Sequence, residues 1–78
     1  MIDNNYIIAE WIVYNKEYID SFLKPSMNRD EVIDVVMQCT AANIPHITME
    51  EVFAAEDDER VLLIIDFYFI KPTHKEYQ

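Results

Sequence analysis

Glycine is absent from all 78 residues of the sequence. Hairpin turns and bulges use glycine to reach positive φ, so its absence counts against a turn-rich β fold. It also removes any glycine-rich loop of the kind that cradles phosphates. A single cysteine, Cys39, leaves no internal disulfide, the staple that a secreted domain of this size usually needs. Basic residues are scarce: six Lys or Arg stand against fifteen Asp or Glu, for a formal net charge of −9. Such a surface is repelled by nucleic-acid phosphates and by anionic membrane faces, so direct binding to either is not expected. Partners with a basic surface are instead attracted and steered towards it. Long apolar runs are missing as well. The longest, residues 61–70, contains Asp66 and is about half the length needed to span a bilayer. The start, MIDNNYIIAEWIVY, lacks the basic opening and small-residue cleavage site of a signal peptide, and Glu10 interrupts its apolar stretch. These absences together lead to the expectation of a cytoplasmic protein.

What is present is apolar mass. Hydrophobic residues make up 51% of the chain, which removes the low-hydrophobicity signature of disorder and supplies a core. A chain this short buries about 60% of its unfolded surface, enough for one small core. The expected organisation is one domain over residues 1–78, with residues 73–78 as a loose tail. No internal repeat or flexible linker is visible, and Pro25, Pro45 and Pro72 divide the chain into segments.

Read on a helix, residues 3–24 gather Ile7, Ile8, Trp11, Ile12, Tyr14, Tyr18, Ile19, Phe22 and Leu23 on one broad side. Asp3 or Asn4 can cap the start, and Pro25 is expected to force the end. Only Asn15 intrudes on the apolar side. The second segment opens at Asn28 as N-cap, with Asp30 and Glu31 where the helix dipole favours acids. Its apolar stripe is Val32, Ile33, Val36, Met37 and Cys39 or Thr40, and it ends near Asn43, a residue able to take the left-handed conformation. The third begins with Thr48-Met49-Glu50-Glu51, a capping box flanked by Ile47 and Val52 as a hydrophobic staple, and should last to Ala55 or Glu56. Residues 61–70, VLLIIDFYFI, suit a buried helix or a buried strand. The acids before them and Lys71 and Pro72 after them favour helix. The fold expected is therefore an all-α compact three- or four-helix bundle. The alternative is an α+β fold pairing strands near residues 6–14 and 61–70.

Chemistry-bearing residues are few. Cys39, His46 and His74 are the available soft ligands, and none has the paired spacing that lets one element present two ligands to a metal. Cys39 reads as a small hydrophobe in the stripe, and His46 and His74 as loop and tail residues. No metal or cofactor is expected. Asp66, inside the apolar run, is the carboxylate expected to feel burial, with Lys71, Arg60 and Arg29 as its nearby partners. A catalytic carboxylate needs a pocket that shifts its pKa and positions a substrate, and nothing in the sequence marks one. The expectation is a protein that is not an enzyme.

Two surfaces remain as candidates. The acidic one comprises Glu50, Glu51, Glu56, Asp57, Asp58 and Glu59, with Asp30, Glu31 and Asp34 on the preceding helix. Its bland reading is a solvated face that keeps the protein soluble. Its sharp reading is a phosphate-mimicking surface that fills the basic groove of a DNA- or RNA-binding protein, because carboxylates about 5.4 Å apart on successive helical turns imitate part of duplex charge density. The apolar one comprises Trp11, Tyr14, Tyr18 and Phe22 on the first segment with Phe67, Tyr68 and Phe69 on the last. Such a stripe is usually core, yet it exceeds what a small bundle hides, and Tyr and Trp are enriched at binding hot spots. The expected function is a small acidic protein-binding regulator or inhibitor, in its extreme form a nucleic-acid mimic. The alternative is a structural or assembly subunit that forms a homodimer through helix one and the last segment. In general character (small, acidic, glycine-free, without catalytic motifs) the chain resembles the regulatory and inhibitory proteins that bacterial viruses encode, a likeness of type that assigns no residue a role.

Overall fold

The computed structural model describes residues 3–70. Over that span the chain forms five α-helices: α1 (Asn4–Tyr14), α2 (Lys16–Asp20), α3 (Arg29–Asn43), α4 (Met49–Ala54) and α5 (Glu59–Ile65). A 3-10 turn, Ala55–Asp57, links α4 to α5, and α5 continues as a π-helical turn, Asp66–Ile70. There is no strand among the described residues. The all-α bundle is thus the architecture, and the alternative with strands near 6–14 and 61–70 is not.

The helix starts follow local chemistry. Asn28 and Thr48 each close a capping box: their side chains accept the backbone N–H of Glu31 (2.9 Å) and Glu51 (3.1 Å). The two glutamates in turn accept the backbone N–H of Asn28 (2.9 Å) and Thr48 (3.0 Å). Four otherwise orphaned amide groups are satisfied this way. Ile47 and Val52, at the staple positions, are both buried in the core. Asp3 caps α1 and Asp58 caps α5.

Four sequence expectations are corrected. The first segment is not one helix to residue 24: it breaks at Asn15. There the backbone N–H and the side-chain amide both donate to the Trp11 carbonyl, at 3.0 and 2.8 Å, and a short amide side chain that competes for backbone groups interrupts the ladder. Nor does Pro25 end it. The helix stops at Asp20, and Ser21 Oγ donates to the Tyr18 carbonyl at 2.6 Å. Asn43 does not turn left-handed, since no positive φ occurs among the described residues. It closes α3 instead with a side-chain bond to the Cys39 carbonyl, 2.8 Å. The third helix gives way to the 3-10 turn after Ala54.

One core joins the elements. Ile8 and Ile12 of α1, Ile19 of α2, Val36 and Met37 of α3, Val52 of α4 and Val61 and Ile65 of α5 are all fully enclosed. Thr40 is buried among them, its hydroxyl donating to the Val36 carbonyl at 2.8 Å. Val61, Ile65 and Phe69 are buried at intervals of four. In an α-helix each such interval drifts about 40° round the axis, which would carry Phe69 away from the core. The wider π turn beginning at Asp66 opposes that drift. Helices α1 and α5 run side by side in one direction. Asn5 donates to Asp58 (2.8 Å) and Arg60 pairs with Asp3 (3.1 Å) where they start, and Lys16 sits over the Phe69 ring, 5.6 Å from its centre, where they finish.

Candidate functional site

The nine carboxylates of the acidic surface divide by role. Glu31 and Glu51 are committed to the capping boxes, and the backbone and hydroxyl of Thr48 hold the Glu51 carboxyl below its ordinary pKa. Asp58 accepts from the Arg60 backbone (2.8 Å), the Arg60 guanidinium (2.9 Å) and the Asn5 amide (2.8 Å). Arg60, then Asn5, keep it well below the usual carboxylate range. Its side chain is 15% exposed, against 25% for Asp66, so Asp58 and not Asp66 is the more enclosed carboxylate. Asp66 does take one of its expected partners. Arg29 Nε and Nη2 fork onto its two oxygens at 2.9 and 3.0 Å, a bidentate pair that ties the π turn to the start of α3. Lys71 lies outside the described residues.

Glu50, Asp57 and Glu59 are exposed, Glu56 is half-buried, and Asp30 and Asp34 are exposed one turn apart on α3. Tertiary packing gathers Asp30, Asp34, Glu56 and Asp57 round one shallow cleft of about 320 Å³, with Arg29, Ile33 and Leu62. Among the described residues the cation lining it is Arg29, already held by Asp66. Among the described residues no group of three or more His, Cys, Asp or Glu is placed to hold a metal. Burial pushes the Cys39 thiol pKa up, which keeps it protonated and a poor nucleophile. His46 is exposed, and His74 and the expected loose tail 73–78 lie outside the described residues.

The apolar candidates also divide, into two faces. On one, Trp11, Tyr18 and Phe22 form a row of edge-to-face rings, with centroids 6.4 and 5.2 Å apart. Tyr18 and Phe22 wall a hollow of about 330 Å³ whose floor is Val35, Gln38, Cys39 and Ala42 of α3. Across α3 lies a second hollow, about 310 Å³, between Gln38, Ala41 and Ala42 and the α4 side chains Met49 and Phe53. Met49 is 66% exposed. On the other face Tyr14, 79% exposed, shares a cleft of about 320 Å³ with Tyr6, Ala9, Val13 and Ile64. Leu63 and Phe67 of α5 and its π turn are also largely exposed, and Phe67 stacks edge-to-face on the half-buried Tyr68 at 5.1 Å. Phe69, read with the same stripe, is core.

Sequence reasoning missed the floor and far wall of the first face: Val35, Gln38, Ala41, Ala42, Met49 and Phe53. A signal existed. From Val35 to Met49 the sequence carries no Asp, Glu, Lys or Arg, although the outer side of α3 faces solvent. A solvent-facing helix without charge departs from ordinary surface composition.

No protein-family model matches the sequence, and neither a curated protein nor a solved structure matches it. No helix among the described residues is long and apolar enough to cross a membrane.

Proposed function

We infer that this is a protein-binding regulator or inhibitor, of the general kind that bacterial viruses encode, acting in the cytoplasm on a partner with a basic surface. The observation that carries the reading is the exposure of large apolar side chains beside an acidic surround. Tyr18, Phe22 and Met49 on one face, and Tyr6, Tyr14, Leu63 and Phe67 on the other, stand about half or more in solvent, and exposed apolar patches rimmed by polar residues mark interaction sites. The charge supports it. Lys16, Arg29 and Arg60 are each engaged in ion pairs within the molecule, which leaves the surplus carboxylates to steer a basic partner.

Affinity capture from lysate of the source cell or its host tests this with wild type and two variants. Tyr18→Ser/Phe22→Ser should lose the specific partner. Glu56→Lys/Asp57→Lys/Glu59→Lys should weaken it and flatten its salt dependence. Asp58 is spared because it caps α5. An identical set of captured proteins for all three defeats the reading. Displacement of the partner by duplex DNA would narrow the function to nucleic-acid mimicry.

A second reading, self-association, rests on Tyr6 and Tyr14 of α1 and Leu63 and Phe67 beside α5. It requires a dimer in solution that Phe67→Glu converts to monomer, and a monomeric wild type removes it.

A further inference from the structure

We propose that the two hollows flanking α3 are the docking site for a single amphipathic helix of the partner, apolar along its centre and flanked by Lys or Arg. This rests on the protein-binding reading and names the occupant. The hollows lie on opposite sides of one ridge, because Gln38 and Ala42 line both. The ridge falls from the exposed amide of Gln38 to the single methyl of Ala42, and over Ala42 a second helix can cross close to the α3 backbone. A helix is about 10 Å across, and an α-helix advances about 10 Å in seven residues. Side chains at i and i+7 of a crossing helix therefore fall one into each hollow, with i+3 or i+4 over the ridge, the anchor pattern of helix-in-groove recognition.

The walls suit large aliphatic or aromatic anchors: Tyr18 and Phe22 on one side, Met49 and Phe53 on the other. Among the described residues neither hollow is lined by a charged residue, and Gln38 is the one amide present. Carboxylates flank the lining residues. Gln38 Nε2 donates to Asp34 at 2.7 Å, Glu50 follows Met49, and Glu17 precedes Tyr18, all three carboxylates exposed. An apolar centre with an acidic margin is complementary to an apolar stripe with basic flanks. A second copy of this chain fits less well, since each copy carries −9.

The test uses the full chain and a synthetic helical peptide with Leu at i, i+3 or i+4 and i+7, Lys elsewhere and no Trp. Trp11 is the only tryptophan, and its ring contacts Tyr18 at the hollow's wall, so its emission reports occupancy. Saturable binding is expected. It should weaken at least tenfold for Ala42→Glu and for Met49→Glu, two exposed positions, with helical circular dichroism retained. Each change adds negative charge, so a merely electrostatic attraction would strengthen. Leu63→Glu, on the other face, should bind as wild type. The same peptide with Glu for Lys should bind at least tenfold more weakly. No binding, equal binding of a peptide with its Leu positions scrambled, or equal affinity of wild type, Ala42→Glu and Met49→Glu would overturn the proposal. If the peptide fails while Tyr18→Ser/Phe22→Ser still loses a captured partner, the helical occupant falls and the protein-binding reading stands.

Discussion

The middle of the molecule and its two outer helices are built by different means. Across α3 and α4 each start is set within four residues, by Asn28 with Glu31 and by Thr48 with Glu51. The outer pair, α1 and α5, is apolar on several sides, and its geometry comes from mutual contact: Asp3 and Asn5 on Arg60 and Asp58, continued by Lys16 of α2 over Phe69 of the π turn. Local hydrogen-bonding choices decide where a helix begins; they cannot decide which side of an all-round apolar helix turns inward. That choice belongs to the neighbour.

The contrast can be tested by breaking each region in turn. The largest effect should come from the outer pair's share of the core. Ile12 is fully enclosed, and Ile12→Ala should cost about 2–5 kcal/mol in chemical denaturation, through lost burial and the cavity left behind. A loss under about 1 kcal/mol would mean that α1 is not held by packing. The middle region should respond more mildly. Thr48→Ala removes one hydroxyl from a capping box and should cost about 1 kcal/mol, with amide exchange rising locally at the start of α4. If exchange rises equally in α1 and α5, the start of α4 is not a local device.

The smallest effect ranks the two regions by acid sensitivity. Arg60 lowers the pKa of Asp3 and Asp58, and Thr48 lowers that of Glu51. A carboxyl held below its unfolded value contributes stability that is full above about pH 4 and is lost as pH falls through its folded pKa. Stability should therefore decline below about pH 4. Asp58→Asn should flatten that decline more than Glu51→Gln, because Asp58 is the more strongly shifted of the two. Equal flattening would place the acid sensitivity in the middle region as much as in the outer clasp.

The same division explains how much was legible beforehand. The starts at Asn28 and Thr48, the helical choice for 61–70 and the need of Asp66 for a basic partner, with Arg29 one of three candidates, all followed from signals close in sequence or from simple charge need. The break at Asn15 did not. A helical projection counts Asn15 as one intruder on an apolar side, whereas in space its amide captures the Trp11 carbonyl. The candidate site was half legible: Tyr18 and Phe22 were marked, but the α3 and α4 side chains facing them were not. Contacts across the bundle have no fixed spacing in sequence.

By itself, then, the sequence determined the class of fold, most helix starts, the acidic field and an apolar supply larger than a small core consumes. Each of these depends on composition or on residues within one helical turn. Only the tertiary structure decided that three of the nine acids serve as caps, that the π turn returns Phe69 to the core, and that Ala42 lies low between two hollows. Those outcomes depend on which face of each helix its neighbours cover, and that is set by all the helices packing at once.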